Sequence, residues 1–196
     1  EVEEAIADTN YQKYDDFEKL CEDVSKLLAD NKIIGWFQNR SEFGPRALGS
    51  RSILMNPTPS KNKEMINTRI KHREEWRPFA GIMLEEYQED YFMDTYPNEY
   101  MLYSLIVRPH QRRKLGAITH RDFSCRIQTV NKDLHPEVTK LLQKYNEITD
   151  IPILLNTSFN DNGQPIIETP KDAVDTFNNI DLDFLVINNF LITKNK

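Results

Sequence analysis

The apolar residues of this chain fall into short, separate runs, and that spacing leaves few folds open to it. Ile33 to Phe37, Ser52 to Met55, Phe79 to Leu84, Met101 to Val107, Ile153 to Leu155, Phe184 to Ile187 and Phe190 to Thr193 are each three to seven residues long. Runs of that length between turn-forming residues read as strands of a buried sheet. Ala117 to His120 and Arg126 to Val130 read as a further strand pair. Stretches with helical spacing lie between them. Asp15 or Asp16 caps a helix from Phe17 to Ala29, where Phe17, Leu20, Cys21, Val24, Leu27 and Leu28 make one stripe. Ser60 opens a helix to about Arg69, a third runs from about Pro136 to Ile148, and Thr169-Pro170 caps and starts a fourth that ends near Asn179. The turn Asn188-Asn189 joins the last two strands. With no repeat, low-complexity tract or long linker, this mixture predicts one α/β domain of mixed (α+β) type, its helices packed on a sheet.

A chain of 196 residues with 39% hydrophobic content is long and apolar enough for one core. No apolar run approaches the roughly 18 residues that span a bilayer, and no basic, apolar signal opens the sequence. Glu1 stands first, so the chain reads as a cut inside a longer polypeptide. Cys21 and Cys125, the two cysteines, form no CxxC pair. That argues against a disulfide framework or zinc ribbon and for a reduced, cytoplasmic protein.

Charge is laid out unevenly. The net charge is −6, yet from Arg40 to Arg77 nine Lys/Arg stand against four Asp/Glu, a local +5 that leaves −11 elsewhere. A basic island in an acidic chain points to a local anion site, because binding along a nucleic-acid backbone needs a broad basic face. A solvated basic surface explains the charge equally well, so the decision falls to particular residues.

Three segments carry that chemistry. Arg40 to Ser52 leaves a buried strand; Gly44 and Gly49 permit tight turns, Arg46 and Arg51 offer planar forks to phosphate oxygens, and Glu42 is placed to hold one arginine. A surface loop paired with the acidic remainder is the competing reading, and two glycines with three arginines between strands favour a ligand. In Ile70 to Phe79, Lys71 and Arg73 are two residues apart; an extended backbone puts both on one face, where they repel unless an anion lies between them. Arg77 precedes Pro78, a position biased toward extended backbone. Glu74 and Glu75 neutralising these cations at the surface is the other reading, and spacing does not choose. Leu155 to Asn160 follows a strand with small hydroxyl and amide groups, Asn156, Thr157, Ser158 and Asn160, suited to phosphate or ribose oxygens or to a plain turn. His120 and Asp122 lack a third ligand, so no metal site is predicted and they are assigned to positioning substrate. Arg126 and Gln128 alternate on a strand and share a side, facing either a pocket or a salt-bridged core.

Taken in order, Gly35-Trp36-Phe37, the segment Glu42 to Leu54 with its Gly-Pro-Arg-Ala-Leu-Gly loop, Lys71-His72-Arg73-Glu74, Arg77-Pro78-Phe79-Ala80, Leu155-Asn156-Thr157-Ser158-Phe159-Asn160 and Gly163-Gln164-Pro165-Ile166 resemble the C-terminal domain of NodU/CmcH/TobZ-type O-carbamoyltransferases. The resemblance runs from about Ile33 to the C-terminus. It implies a YrdC-like fold, an open α/β structure with a twisted sheet. It also implies an activity: carbamoyl phosphate and ATP become carbamoyladenylate, with Mg2+ bridging the nucleotide. An N-terminal domain with an actin/HSP70-related fold and a metal, absent from this chain, would then move the carbamoyl group to a hydroxyl acceptor. The Lys-x-Arg and Ser-x-Asn pairs of the YrdC group correspond to Lys71/Arg73 and Ser158/Asn160, which the resemblance makes the catalytic set. One departure is visible: the family commonly has glycine before the arginine of the first loop, and this chain has Asn39 before Arg40, so a different local turn is expected.

The expected site is therefore Lys71, Arg73, Ser158 and Asn160, with Arg46, Arg51, Arg77, Arg126, Asn156 and Thr157 on phosphate and Glu42, Gly44, Gly49, His120, Asp122 and Gln128 in support. Expected partners are carbamoyl phosphate, ATP and the N-terminal domain, without membrane or nucleic acid. Two other functions share features with this one. A threonylcarbamoyl-adenylate synthase has the same pairs but consumes bicarbonate and threonine, and the Gly-Pro-Arg-Ala-Leu-Gly loop favours the carbamoyltransferase. A non-catalytic RNA- or nucleotide-binding module would bind RNA with a steep salt dependence, which the acidic balance outside Arg40 to Arg77 disfavours.

Overall fold

A computed structural model of the chain describes residues 1–194. In chain order the elements are α1 (Val2–Ala5), β1 (Asn10–Lys13), α2 (Phe17–Ala29), β2 (Ile34–Phe37), β3 (Arg51–Met55), α3 (Lys61–Ile66), β4 (Ala80–Leu84), α4 (Gln88–Tyr91), β5 (Ser104–Ile106), β6 (Ser124–Val130), α5 (Pro136–Thr149), β7 (Ile153–Ser158), α6 (Pro170–Asn179), β8 (Phe184–Ile187) and β9 (Phe190–Thr193). The nine strands form one open mixed sheet in the order β1-β9-β8-β2-β3-β7-β4-β6-β5. β8/β2 and β4/β6 are parallel and the other neighbours antiparallel. The mixed α/β class is the one expected from the sequence.

The helices start where local chemistry satisfies their first N–H groups. Asp16 caps α2 by accepting from Glu18 N at 2.8 Å, and its stripe Leu20, Cys21, Val24 and Leu28 is fully buried. Thr169 and Asp172 form a reciprocal capping box at α6, with Pro170 first in the helix. α5 packs on α2, β4 and β7, while α6 packs on β2 and β8. Cys21 and Cys125 are free and buried, and burial pushes both thiols up to about 12, out of reach of ordinary thiolate chemistry.

Four expectations about elements need correction. Ala117 to His120 is no strand: its N–H groups go to Pro57, Leu115 and Ser124 carbonyls in a buried turn, and β6 pairs with β4 and β5. The Met101 to Val107 strand shrinks to Ser104–Ile106. The α-helix after Ser60 ends at Ile66 and widens into a π-helical turn, Asn67–Lys71. β7 continues to Ser158, so Asn156, Thr157 and Ser158 are strand residues with ladder partners rather than a loop.

Topology gathers the basic island at one end of the sheet. The N-termini of β3 and β4 lie beside the C-terminus of β7, with Ser52 opposite Ser158 and Ala80 opposite Asn156. Parallel pairing of Gly81 with Ile127 brings Arg126 level with Ala80. Among the described residues no helix is long and apolar enough to cross a membrane.

Candidate functional site

The loop between β2 and β3 is held by its backbone. Glu42 Oε1 accepts from Leu48 N, Ser50 N and Arg51 N at 2.5, 3.0 and 3.2 Å. Asn156 Nδ2 donates to Ala47 O at 3.0 Å, Gln128 Nε2 to Leu48 O at 2.8 Å and Trp36 Nε1 to Gly49 O at 3.0 Å. Gly44 and Gly49 have φ of +108° and +103°, and a Cβ at Gly49 would lie 3.0 Å from Val138, so Gly49 is required twice over. Asn39, just before Arg40, adopts φ +46°. Asparagine is one of the residues that tolerates that left-handed conformation.

These contacts correct several expected roles. Glu42 acts through loop N–H groups, that of Arg51 among them, and its charge also favours the charged Arg51 guanidinium. Asn156 and Gln128 act first on the loop carbonyls. Arg51 is 3% exposed and its guanidinium is spent inside the protein: it donates to the carbonyls of Gln38 (2.7 Å), Asn39 (3.0 Å), Ser50 (3.1 Å) and Glu168 (3.2 and 3.3 Å) and lies 3.5 Å from the Phe37 ring centre. Its expected phosphate contact gives way to a strut.

Lys71 and Arg73 do not lie on one face of an extended segment. Lys71 ends the π-helical turn, and His72 is left-handed with φ +46°. The Lys71 ammonium donates to Ser158 O (2.7 Å), Asn160 O (3.0 Å) and Asn160 Oδ1 (2.7 Å), with Ser158 Oγ at 3.4 Å. Ser158 Oγ donates in turn to Asn160 Oδ1 at 2.7 Å. The Lys-x-Arg and Ser-x-Asn segments therefore meet through this one nitrogen. Burial, then the nearby Arg73 charge, push its pKa down to about 7.

Arg73 turns the other way. Its guanidinium stacks 4.3 Å from the Phe79 ring centre and donates from Nη2 to Pro78 O at 3.2 Å. Arg46, Arg73 and Arg126 line one hollow of about 70 Å³ together with Pro45, Ala47, Pro78, Phe79, Ala80, Met101, Asn156, Thr157 and Ser158. Among the described residues none of the three arginines is in an ion pair with a carboxylate. Among the described residues the buried Nε atoms of Arg73 and Arg126 have no hydrogen-bond partner. Burial first, then Arg77 and Arg126, lower the pKa of Arg73; burial and Arg46 lower that of Arg126. Guanidinium groups keep their proton under such pressure, so the hollow concentrates uncompensated positive charge. At about 70 Å³ it is much smaller than the two cavities beside it.

Two larger cavities adjoin it. One of about 680 Å³ shares Pro78 and Phe79 with the hollow and is also lined by Lys63, Trp76, Arg77, His120, Arg121 and Asp122. The other, about 500 Å³, shares Pro45 and Ser158 and includes Glu42, Gly44, Asn160 and Glu168. Arg77 is exposed and paired with Glu74 at 2.9 Å. Asp122 Oδ1 accepts from Ser124 N (2.9 Å) and Ser124 Oγ (2.7 Å), and Ser124 Oγ lies 3.2 Å from His120 Nδ1, so the two expected positioning residues are joined through a serine. Among the described residues no three His, Cys, Asp or Glu side chains group as metal ligands. Asn67, which sequence reasoning passed over, bonds both backbone polar groups of Arg73, with Nδ2 donating to Arg73 O at 2.6 Å and Oδ1 accepting from Arg73 N at 3.2 Å.

Fold and site together define an α/β domain with a cationic hollow at one end of its sheet. The chain belongs to the carbamoyltransferase C-terminus family, which matches residues 25–194. It is similar to the nodulation protein NolNO of Sinorhizobium fredii (strain NBRC 101917 / NGR234), 44% identical over 183 residues that cover 89% of this chain and 27% of that protein. The nodulation protein NolO of Bradyrhizobium diazoefficiens is 44% identical over 93% of this chain and 33% of its own length. The chain thus spans about a quarter to a third of these relatives. Among solved structures, full-length HypF in its phosphate- and nucleotide-bound form shares the fold with a TM-score of 0.57 at 18% identity, covering 92% of this chain and 22% of that one.

Proposed function

We propose that this domain forms carbamoyladenylate from carbamoyl phosphate and ATP in the cytoplasm, as the adenylating half of an O-carbamoyltransferase. Its N-terminal partner domain, with the actin/HSP70-related fold, would pass the carbamoyl group to a hydroxyl acceptor. The observation that carries this reading is the trio Arg46, Arg73 and Arg126, three guanidinium groups on one small hollow, none of them in an ion pair with a carboxylate among the described residues. Family membership and the fold shared with a phosphate- and nucleotide-bound protein lend it support.

Loss of the phosphoryl group from carbamoyl phosphate to water yields carbamate and inorganic phosphate. A carbamate oxygen then bonds to the α-phosphorus of ATP, the bond from that phosphorus to the β-phosphate oxygen breaks, and pyrophosphate leaves. Developing charge falls on phosphate oxygens throughout, so fixed donors do most of the work and no general base is required. Arg46, Arg73 and Arg126 supply those donors, with Thr157 and Ser158 beside them. Lys71 acts one step back, holding Ser158 and Asn160 in place. The flanking cavities give room for the nucleoside. Magnesium would travel with ATP; among the described residues no carboxylate lines the hollow, so its residues do not form a protein-held magnesium site.

The test is pyrophosphate release by the full-length protein. Release should require ATP and carbamoyl phosphate together and ignore threonine. Release driven by threonine and bicarbonate would instead assign the threonylcarbamoyl-adenylate chemistry.

A further inference from the structure

We propose that Asn67 is a positioning residue that aims Arg73 at the hollow through the arginine's backbone, using an uncharged side chain so that the guanidinium stays unneutralised. The inference rests on the reading that Arg73 grips the anion.

The chain has to make an awkward passage between α3 and Arg73. The α-helix widens at Asn67 into a π-helical turn closed by His72 N donating to Asn67 O at 2.7 Å, and His72 then takes the left-handed conformation. Non-glycine residues in that conformation, and π-helical turns, persist only where neighbouring contacts hold them. Arg69 is anchored to Asp181 and Asp183 and Lys71 to Ser158 and Asn160, while the contacts to the residue after His72 come from Asn67. Its amide donates to Arg73 O and accepts from Arg73 N, as a neighbouring strand would. With both backbone groups fixed, the direction of the Arg73 Cα–Cβ bond is set before its side chain meets Phe79 or the hollow.

An amide is the side chain of this size that both donates and accepts. A carboxylate there could accept from Arg73 N but not donate to Arg73 O, and would bring a negative charge close to the guanidinium. Other arginines in the molecule are held the opposite way. Arg69, two residues on from Asn67, is fixed by Asp181 and Asp183 at 2.6 and 2.9 Å, and Arg77 by Glu74 at 2.9 Å. Those cations are neutralised by the groups that hold them. Arg73 is held without losing its charge.

The experiment is a double-mutant cycle read by calorimetric titration with inorganic pyrophosphate. Wild type, Asn67→Ala, Arg73→Ala and the double variant are compared, with urea unfolding run on each. Asn67→Ala should bind pyrophosphate about tenfold more weakly, Arg73→Ala weaker still, and the double variant no more weakly than Arg73→Ala. Asn67→Asp, which keeps the size and the acceptor, should lose more affinity than Asn67→Ala because it neutralises the arginine. Normal affinity in Asn67→Ala overturns the proposal, and so does a full additional loss in the double variant, which would mean direct contact with the ligand or general damage. If Arg73→Ala itself binds normally, the anion-site reading falls as well; if only Arg73→Ala is impaired, that reading stands and the role of Asn67 falls alone.

Discussion

Arg51 on β3 and Arg126 on β6 lie at the same end of the sheet with β7 and β4 between them, carry the same charge and have opposite surroundings. Arg51 has its guanidinium filled by four backbone carbonyls and faces Phe37. Arg126 has a buried Nε without a hydrogen-bond partner among the described residues and lines a hollow shared with two more arginines. Buried cations are costly unless their donors are met. The first arginine meets that requirement within the protein and so ties together the ends of β2, β3 and the segment before α6. The second leaves it open, at a place where an incoming oxyanion can meet it. On the proposed function the difference separates a residue that serves the fold from one that serves a ligand, and net charge or loop position would not reveal it.

The sharpest way to break this contrast is to remove the strut. Arg51→Ala should cost about 3–5 kcal/mol in urea unfolding, because a buried network loses its centre and leaves carbonyls without donors. A loss under 1 kcal/mol would place Arg51 with the ligand-facing arginines after all.

Lys71 sharpens the same contrast with a smaller effect, since it is a buried cation of the structural kind that titrates. Its folded pKa, about 7, lies below the ordinary 10.5. Between those values the unfolded chain binds more protons than the folded one, so stability rises with pH across that window and the advantage is lost as pH falls through 7. Relative to Lys71→Met, wild type should gain about 1–2 kcal/mol between pH 7 and pH 9. Parallel pH profiles for the two proteins would contradict the assignment.

What could be read in the sequence followed from signals that are local. The stripe of α2, the Thr169-Pro170 start of α6 and the Asn188-Asn189 hairpin all came through because a cap, a proline or a turn acts over a few residues. Ala117 to His120 failed for the complementary reason: a short apolar run reports burial, and a buried turn satisfies it as well as a strand. At the site, the segments that converge were legible and the division of labour within them was not. Same-face placement of Lys71 and Arg73 assumed extended backbone, which a π-helical turn and a left-handed His72 overrode. Arg46 and Arg51 look alike in the loop, and only the carbonyls of Gln38, Asn39 and Glu168, brought in by the fold, tell them apart. Asn67 left no signal, because its partners are backbone atoms six residues away.

The central question is whether the hollow's arginines act on an anion rather than on the fold. Titrating inorganic pyrophosphate into wild type and Arg126→Ala, with unfolding measured on both, addresses this most directly. Affinity should fall about a hundredfold, the scale of one charged donor lost from such a site, while the unfolding midpoint stays level or rises slightly as burial cost and repulsion are relieved. Unchanged affinity with a large drop in stability would make Arg126 a second strut and contradict the account.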